Sequence, residues 1–310
     1  MQSRTALQAV GKPRSNHPKH DGFTHPADKL ETCPTFHPLR EVAFLFDTTR
    51  NLFPLPTVAF LWIMDSMSEQ SESGDPIIRH EARERDFEFA TGDSENIDAI
   101  SDHIEQHIGP VANVFHEIIS DLIHIDIHIV EPTEERNFYT LVTSGMSDMP
   151  MAAPDELHAC AYSELMICLP PDWPMGEEAW KNEDNYWPIR LLKMLARFPH
   201  EYQTWLWSRH TIPNGNPAVP YASNTGLVGT MVLPPLTASE AFYTLQISEE
   251  KIIHFHGLIP LYEEEMDLKL KKGAEALFDG FDQLGVSEIL IPNRPSSIVK
   301  KRGWFPFGRK

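Results

Sequence analysis

The stretch that most constrains the fold is residues 122–130, LIHIDIHIV, in which isoleucine alternates with polar side chains. Successive side chains of a β-strand point to opposite faces of the sheet. The alternation therefore predicts a strand with isoleucines on one face and His124, Asp126 and His128 on the other. We interpret the isoleucine face as buried and the polar face as exposed to solvent, as is common in antiparallel sheets.

Further apolar segments with strand character follow, each bounded by charged or proline-rich turns. They are residues 138–143, 163–169, 227–233, 242–247, 252–259 and 288–291. A short charged turn around Pro132 connects residues 122–130 to residues 138–143, which predicts that these two strands pair antiparallel. The chain thus supplies enough strands for one substantial sheet.

Helical segments lie before, between and after these strands. Isoleucines at 97, 100, 104 and 108 predict an amphipathic helix, and a second helix is expected over residues 111–121. Three more helices are expected, over residues 188–198, 261–272 and 277–284. We expect Pro199 to end the first of these three. The grouping predicts the α+β class, with a mixed, largely antiparallel sheet of about six strands and helices packed on it.

The charge of the chain limits its partners. It carries 45 Asp and Glu against 26 Lys and Arg, a net charge of −19. Nucleic acid is excluded as a main partner because phosphate binding needs clustered cations. The apolar residues 52–64 include Pro54 and Pro56 and are well short of the roughly 20 residues that a membrane span needs. We therefore expect no membrane association, and a cytoplasmic location because the three cysteines form no disulfide framework.

Composition also suggests how the chain is divided. Residues 1–66 are expected to be disordered, or to be an extension that is not part of the native protein, and residues 67–93 to be a linker. Residues 94–295 are predicted to form the folded domain. Residues 296–310 form a tail rich in lysine, arginine and aromatic residues. This tail could bind an acidic surface or fold back on the acidic domain.

One pattern suggests a metal site. His124, Asp126 and His128 share a strand face, and imidazole with carboxylate is a common zinc ligand set. His254 and His256 repeat the spacing on another predicted strand and could complete a cluster. The alternative function is therefore a metal-dependent hydrolase. Adjacent positions on one strand need not converge on one ion, so we favour a strand face without metal.

Other catalytic patterns are missing from the sequence. It contains no G-x-S-x-G elbow, no phosphate-binding P-loop and no dinucleotide-binding G-x-G-x-x-G. Cys168 lies in an apolar strand and is expected to be a buried core residue. These features give no motif for a catalytic nucleophile or a bound nucleotide, and we expect the protein to need no cofactor.

Four segments together resemble the suppressor of fused (SUFU) domain family, in its bacterial form. The four segments, in family order, are HIDIHIVEPTEERNFYTLVTSGMSD (124–148), ELMICLPPDW (164–173), WPIRLLKMLARFPHEYQTWL with HTIPNG (187–215), and LIPLYEEEMDLKLKKGAEALFDGFDQLGVSEILIPNRP (258–295). The resemblance covers roughly 60% of the chain. It implies a single α+β domain with a non-enzymatic role.

The resemblance also implies a function. Animal members hold a transcription factor of the Hedgehog pathway inactive, with the help of a second domain. Little sequence follows residue 295, so we expect that domain to be missing and the Hedgehog role not to apply. Bacterial members are thought to be immunity proteins that neutralise a toxin, and an acidic surface suits a basic toxin or basic peptide segment.

The same resemblance suggests where a partner binds. Tyr139 and Asp148 match the segment that lies near the bound peptide in the animal relatives. The residues after Asp148, MPMAAPDE, depart from the animal pattern. An exposed sheet edge at this segment could accept an added strand from a partner. Tyr139 and Asp148 could also serve only to pack and to cap a turn.

Overall fold

The structure is a computed structural model that describes residues 69–81, 84–117 and 119–298. The predicted N-terminal extension, residues 1–66, lies outside these residues, as does the tail beyond residue 298. The α-helices of the described residues are α1 (Ser94–His107), α2 (Glu183–Tyr202), α3 (Glu263–Lys272) and α4 (Glu275–Leu284). The strands are β1 (Glu69–Gln70), β2 (Pro76–Ile77), β3 (Phe89–Ala90), β4 (Val111–Phe115), β5 (Ser120–Asp121), β6 (Asp126–Val130), β7 (Tyr139–Ser144), β8 (Tyr162–Leu169), β9 (Thr211–Pro213), β10 (Gly229–Leu233), β11 (Thr244–Gln246) and β12 (Ile252–Leu261).

The centre of the fold is an eight-stranded sheet in the order β4-β6-β7-β8-β12-β10-β9, with β11 also paired to β12. Every pair is antiparallel except β8 with β12, which is parallel. The predicted antiparallel pairing of β6 with β7 is confirmed. The α+β class and the mixed, largely antiparallel sheet are confirmed too. Two further ribbons, β1 with β2 and β3 with β5, stand apart from this sheet.

Both faces of the sheet are covered. The isoleucines of β6 and alternate residues of β7 and β8 form one apolar core with α2. On the other face, Ile100 and Ile104 of α1 pack with Val130, Val142 and Met166. Farther along that face, α3 and α4 cover β10 and β12. The result is a layer of helices on each side of the sheet, so its strands are buried on both faces.

Local sequence explains the helix boundaries. Asp93 caps α1 by accepting hydrogen bonds from the backbone N–H groups of Glu95 and Asn96, and Asn182 caps α2 through the N–H of Asp184. The prediction that Pro199 ends a helix is wrong, because α2 continues to Tyr202. Pro199 lies within the last turn of α2, where the chain is already buried against the core.

The helix predicted over residues 111–121 is also wrong. Residues 111–115 form the edge strand β4, which pairs with β6, and residues 120–121 form β5. Val111, Val114 and Phe115 are apolar residues that suit a strand as well as a helix, so a short run of them does not settle which forms. Among the described helices, none is long and apolar enough to cross a lipid bilayer.

Candidate functional site

The polar residues of the alternating stretch are mostly buried, and the predicted solvent-facing strand face is wrong. Asp126 and His128 are each 1% exposed. The reason is tertiary: α1 packs on this side of the sheet, and Gly92, which precedes α1, lies against the ring of His124. A burial of this kind requires hydrogen-bond partners for the polar atoms, and most of them have one.

The carboxylate of Asp126 contacts two imidazole rings, those of His124 and His116. Its Oδ1 lies 3.0 Å from Nε2 of His124, and its Oδ2 lies 2.8 Å from Nδ1 of His116. The backbone N–H of Glu117 also donates to Asp126. His116 could not be predicted as a partner of Asp126, because it lies ten residues earlier in the chain. It directly follows β4, and the pairing of β4 with β6 brings the two side chains together.

The network extends from His124 to α2. The Oγ of Ser120 lies 2.8 Å from Nδ1 of His124 and donates to Glu117 at 2.7 Å. Glu117 in turn pairs with Lys193 and Arg197 of α2. Burial raises the pKa of Glu117, but hydrogen bonds from Arg197 and Ser120 and the two positive charges outweigh it, so the pKa is lowered. The basic face of α2 therefore neutralises carboxylates of its own domain.

Ser120, His124 and Asp126 are connected in the order of a nucleophile, base and acid, but the geometry does not suit nucleophilic catalysis. Ser120 is 1% exposed, so a substrate carbonyl does not reach its Oγ. Its single proton is donated to the carboxylate of Glu117 and is therefore not directed at the imidazole of His124. Ser120 and His124 are thus not arranged as a nucleophile and its general base.

The predicted metal ligands do not gather around one point. His128 turns to Ser144, with Nε2 2.9 Å from Oγ, and burial lowers its pKa to about 4. His254 and His256 lie on β12, three strands from β6, which is roughly 14 Å at ordinary strand spacing. They pack against the ring of Trp207, and burial lowers the pKa of His256 to about 3. The described residues contain no group of three His, Cys, Asp or Glu side chains suited to a metal ion.

Tyr139 and Asp148 lie at opposite ends of the β7 segment. Tyr139 is the first residue of β7 and packs, half-buried, against the core shared with α2. Asp148 ends the short helical turn Met146–Asp148 and accepts hydrogen bonds of 3.0 Å from the N–H of Asp93 and the side chain of Asn96. Burial raises the pKa of Asp148. Its carboxylate therefore helps to fix the start of α1.

The expectation of an open sheet edge at this segment is wrong, because β7 is paired with β6 on one side and β8 on the other. The turn after it is equally closed. Gly145 has a φ of +104°, and a Cβ there would lie 1.8 Å from the carbonyl oxygen of His124. Only glycine therefore fits this approach of the turn to the chain that enters β6.

A buried carboxyl group lies beneath the turn. Glu164 of β8 is fully buried and accepts hydrogen bonds from Thr143 and from the N–H and hydroxyl of Ser147. Burial raises its pKa to about 7 despite these bonds. Glu164 could not be predicted from the sequence, because a single glutamate in an apolar strand gives no pattern. It ties the turn to the sheet.

An exposed apolar surface lies beside the network. Phe87 is 60% exposed, Phe89 67% and Ile119 71%, and all three belong to the β3–β5 ribbon or its flanks. The ribbon is anchored by Arg85, which donates to both carboxylate oxygens of Asp121 and to Glu201 at the end of α2. The three apolar side chains therefore stand on a fixed support.

Comparison with known proteins gives the family. A family model described as suppressor of fused protein (SUFU) matches residues 121–295, which is more than half of the chain. No curated protein matches the chain. A solved structure described as a SUFU homolog from Neisseria gonorrhoeae FA 1090 is similar, with a TM-score of 0.47 and 16% identity, over 66% of this chain and 98% of that one.

Two further structures are similar. A structure of the Sufu-Fu complex has a TM-score of 0.47 and 15% identity, over 65% of this chain and 92% of that one. Drosophila Suppressor of Fused has a TM-score of 0.38 and 15% identity, over 58% of this chain and 46% of that one. The resemblance found in the sequence is confirmed by the family match, and this chain belongs to the SUFU family.

Proposed function

We propose that this chain is a non-enzymatic binding protein that masks a partner protein, and that it acts in the cytoplasm as an immunity protein against a bacterial toxin. The observation that carries the proposal is membership in the SUFU family over residues 121–295. The net charge of −19 supports it, since an acidic protein is steered toward a basic partner during association.

The polar network supports the same conclusion. Within the described residues, Ser120, His124, Asp126 and Glu117 satisfy one another and the cations of α2. A buried polar network whose members are satisfied in this way makes a domain rigid. The side chains available to a partner are those on the surface, above all the exposed aromatic residues of the ribbon.

Tyr139 and Asp148 remain proposed partner-binding residues. Both are partly exposed, and both lie in the family-matched range. Tyr139→Ala should weaken binding without a large loss of stability, because the ring is only half-buried. Asp148→Ala should also loosen the start of α1, since it removes hydrogen bonds to Asp93 and Asn96. Comparing the two variants shows whether each residue contacts the partner or only stabilises the fold.

Co-expression tests the immunity role. Each protein encoded next to this chain is expressed in a bacterial host, with and without the chain, and growth is recorded. We expect one neighbour to arrest growth, and the chain to restore growth and to form a purified complex with that neighbour. If the chain relieves no such arrest and forms no such complex, the immunity role is wrong.

The metal-dependent hydrolase predicted from His124, Asp126 and His128 has no support from the geometry, because His128 bonds Ser144 and the described residues contain no group of three side chains suited to a metal ion. Metal analysis of protein purified without a histidine tag tests this alternative. Stoichiometric zinc or iron, lost in His124→Ala, would restore the hydrolase and count against the binding role.

A further inference from the structure

The exposed aromatic residues of the β3–β5 ribbon form one surface. Phe87 and Phe89 are two positions apart in an extended segment, so their rings lie on the same face. Ile119 precedes Ser120, which pairs with Ala90, so it lies diagonally across from Phe89 on that face. Three large apolar side chains that are each more than half exposed and adjacent mark an interaction surface more often than a chance exposure.

The outer edge of the segment is also open. The N–H of Leu122 donates to the carbonyl oxygen of Glu88, so the main-chain groups of Glu88 point toward β5. In an antiparallel pair, the main-chain groups of alternate residues point to opposite sides. Those of Phe87 and Phe89 therefore point away from β5, and no strand of the described chain pairs with them there. Such an edge can accept an added strand.

Carboxylates dominate the charge of residues 84–89. Glu84, Asp86 and Glu88 are exposed, and none of them forms an ion pair with a residue that the structure describes. Arg85 does not offset them, because its guanidinium is already bound by Asp121 and Glu201. Asp86 and Glu88 alternate with the two phenylalanines, so carboxylates lie on one face of the strand and phenyl rings on the other.

We propose that the outer edge of residues 86–89 binds an extended segment of another protein in which apolar and basic residues alternate. The added strand pairs with the main chain of Phe87 and Phe89. Its apolar side chains cover Phe87, Phe89 and Ile119, and its lysines or arginines face Asp86 and Glu88. The inference rests on the proposed function, that this chain binds a protein, and names the chemistry of the segment it binds.

The docking edge lies largely outside the family-matched part of the chain. The match begins at residue 121, whereas Phe87, Phe89 and the carboxylates precede it. The matched residues supply the support, through Asp121 and Glu201, which bind Arg85. The added segment would therefore be selected by residues that precede the family-matched range and held in place by residues within it.

A peptide-binding experiment on the full chain tests the proposal. The probe is a fluorescein-labelled peptide of alternating lysine and valine, and binding is followed by fluorescence anisotropy. Two matched peptides serve as controls: one with glutamate for lysine, and one with methylated main-chain nitrogens on the residues that would pair. We expect saturable binding of the first peptide only, weakened by salt.

The variants locate the site. Phe87→Ser with Phe89→Ser should weaken binding of the lysine–valine peptide by about tenfold or more, as removal of aromatic anchors usually does. Leu284→Ser, at an exposed apolar side chain of α4, is the matched control and should leave binding unchanged. Asp86→Lys with Glu88→Lys should reverse the preference between the lysine and glutamate peptides. Unfolding curves confirm that each variant folds.

The proposal is overturned by any of three results: no saturable binding by the wild-type chain, equal binding by the Phe87/Phe89 variant, or equal binding of the methylated peptide. The last would show that main-chain pairing does not contribute to binding of the peptide. These failures differ from failure of the proposed function. A toxin that is still neutralised by the Phe87/Phe89 variant leaves the immunity role intact and removes this docking edge.

Discussion

Glu265 and the carboxylates of the ribbon show two uses of negative charge in one acidic protein. Glu265 is 0% exposed and accepts hydrogen bonds from Arg294, Ser297 and the N–H of Tyr262. Asp86 and Glu88 are exposed and have no cationic partner among the described residues. The first arrangement is complete within the domain, whereas the second leaves two carboxylates open to solvent. Changes at Glu265 should therefore affect folding, and changes at the ribbon should affect binding.

The largest expected effect is at the buried pair. Arg294→Met leaves Glu265 buried without its cation and should lower the free energy of unfolding by about 3–5 kcal/mol. Urea unfolding followed by tryptophan fluorescence measures this. Arg79→Met is the control, since the pair of Arg79 with Glu69 is exposed and should be worth about 1 kcal/mol or less. Equal effects of the two variants would contradict the comparison.

A smaller effect is expected at Glu117, which is only partly buried. Glu117→Gln removes the negative charge that faces Lys193 and Arg197 and should lower the free energy of unfolding by about 1–3 kcal/mol. Glu178→Gln is the matched control, because its pair with Lys181 is exposed and should contribute little. A loss at Glu117 no larger than at Glu178 would show that the network near α2 is not structural.

The buried, neutral imidazole of His128 makes the stability of the domain depend on pH. Burial lowers the pKa of His128 to about 4, against 6.5 in the unfolded chain. The unfolded state then binds the proton more readily, so stability falls as the pH drops below about 6.5. His128→Asn should remove about 2 kcal/mol of the loss that the wild-type chain suffers between pH 7 and pH 5. Unfolding measured at both pH values checks this, and parallel pH profiles would contradict it.

The smallest effect on stability is expected at the ribbon. Phe87→Ser with Phe89→Ser should change the free energy of unfolding by only about 0.5 kcal/mol, because both rings are mainly exposed. The same urea experiment measures it. A loss comparable to that of Arg294→Met would mean that the two rings are part of the core. The ribbon would then affect folding as Glu265 does, and the contrast between the two regions would be wrong.

The strands were easier to predict than their surroundings. The alternation in residues 122–130 identified β6, and the apolar runs identified β7, β8 and β12. The same alternation did not reveal that Asp126 and His128 are buried. Whether a polar strand face is exposed to solvent depends on what packs over it. Here Ile100 and Ile104 of α1 pack on that side of the sheet. That information lies in tertiary packing and not in the period of the strand.

The site shows the same limit. The contact between His116 and Asp126 follows from the register of β4 on β6, and β4 itself was predicted as a helix. The alternation of Phe87 and Phe89 with Asp86 and Glu88 is visible in the sequence, yet the segment was predicted as part of a linker, residues 67–93. Short strands such as β3 owe their existence to one partner and to Arg85, and a two-residue element gives no period.

The parallel pair at the centre of the sheet has a kinetic consequence. Tyr162 of β8 pairs with Ile253 of β12, about 90 residues later in the chain. Contacts between such distant segments form slowly, since the entropy of closing a long loop is lost before the contacts compensate for it. During synthesis, one edge of β8 has no strand to pair with until β12 has been made. A slow refolding step that ends when β12 joins β8 is the expected result, and the waiting edge is where a newly made chain would aggregate.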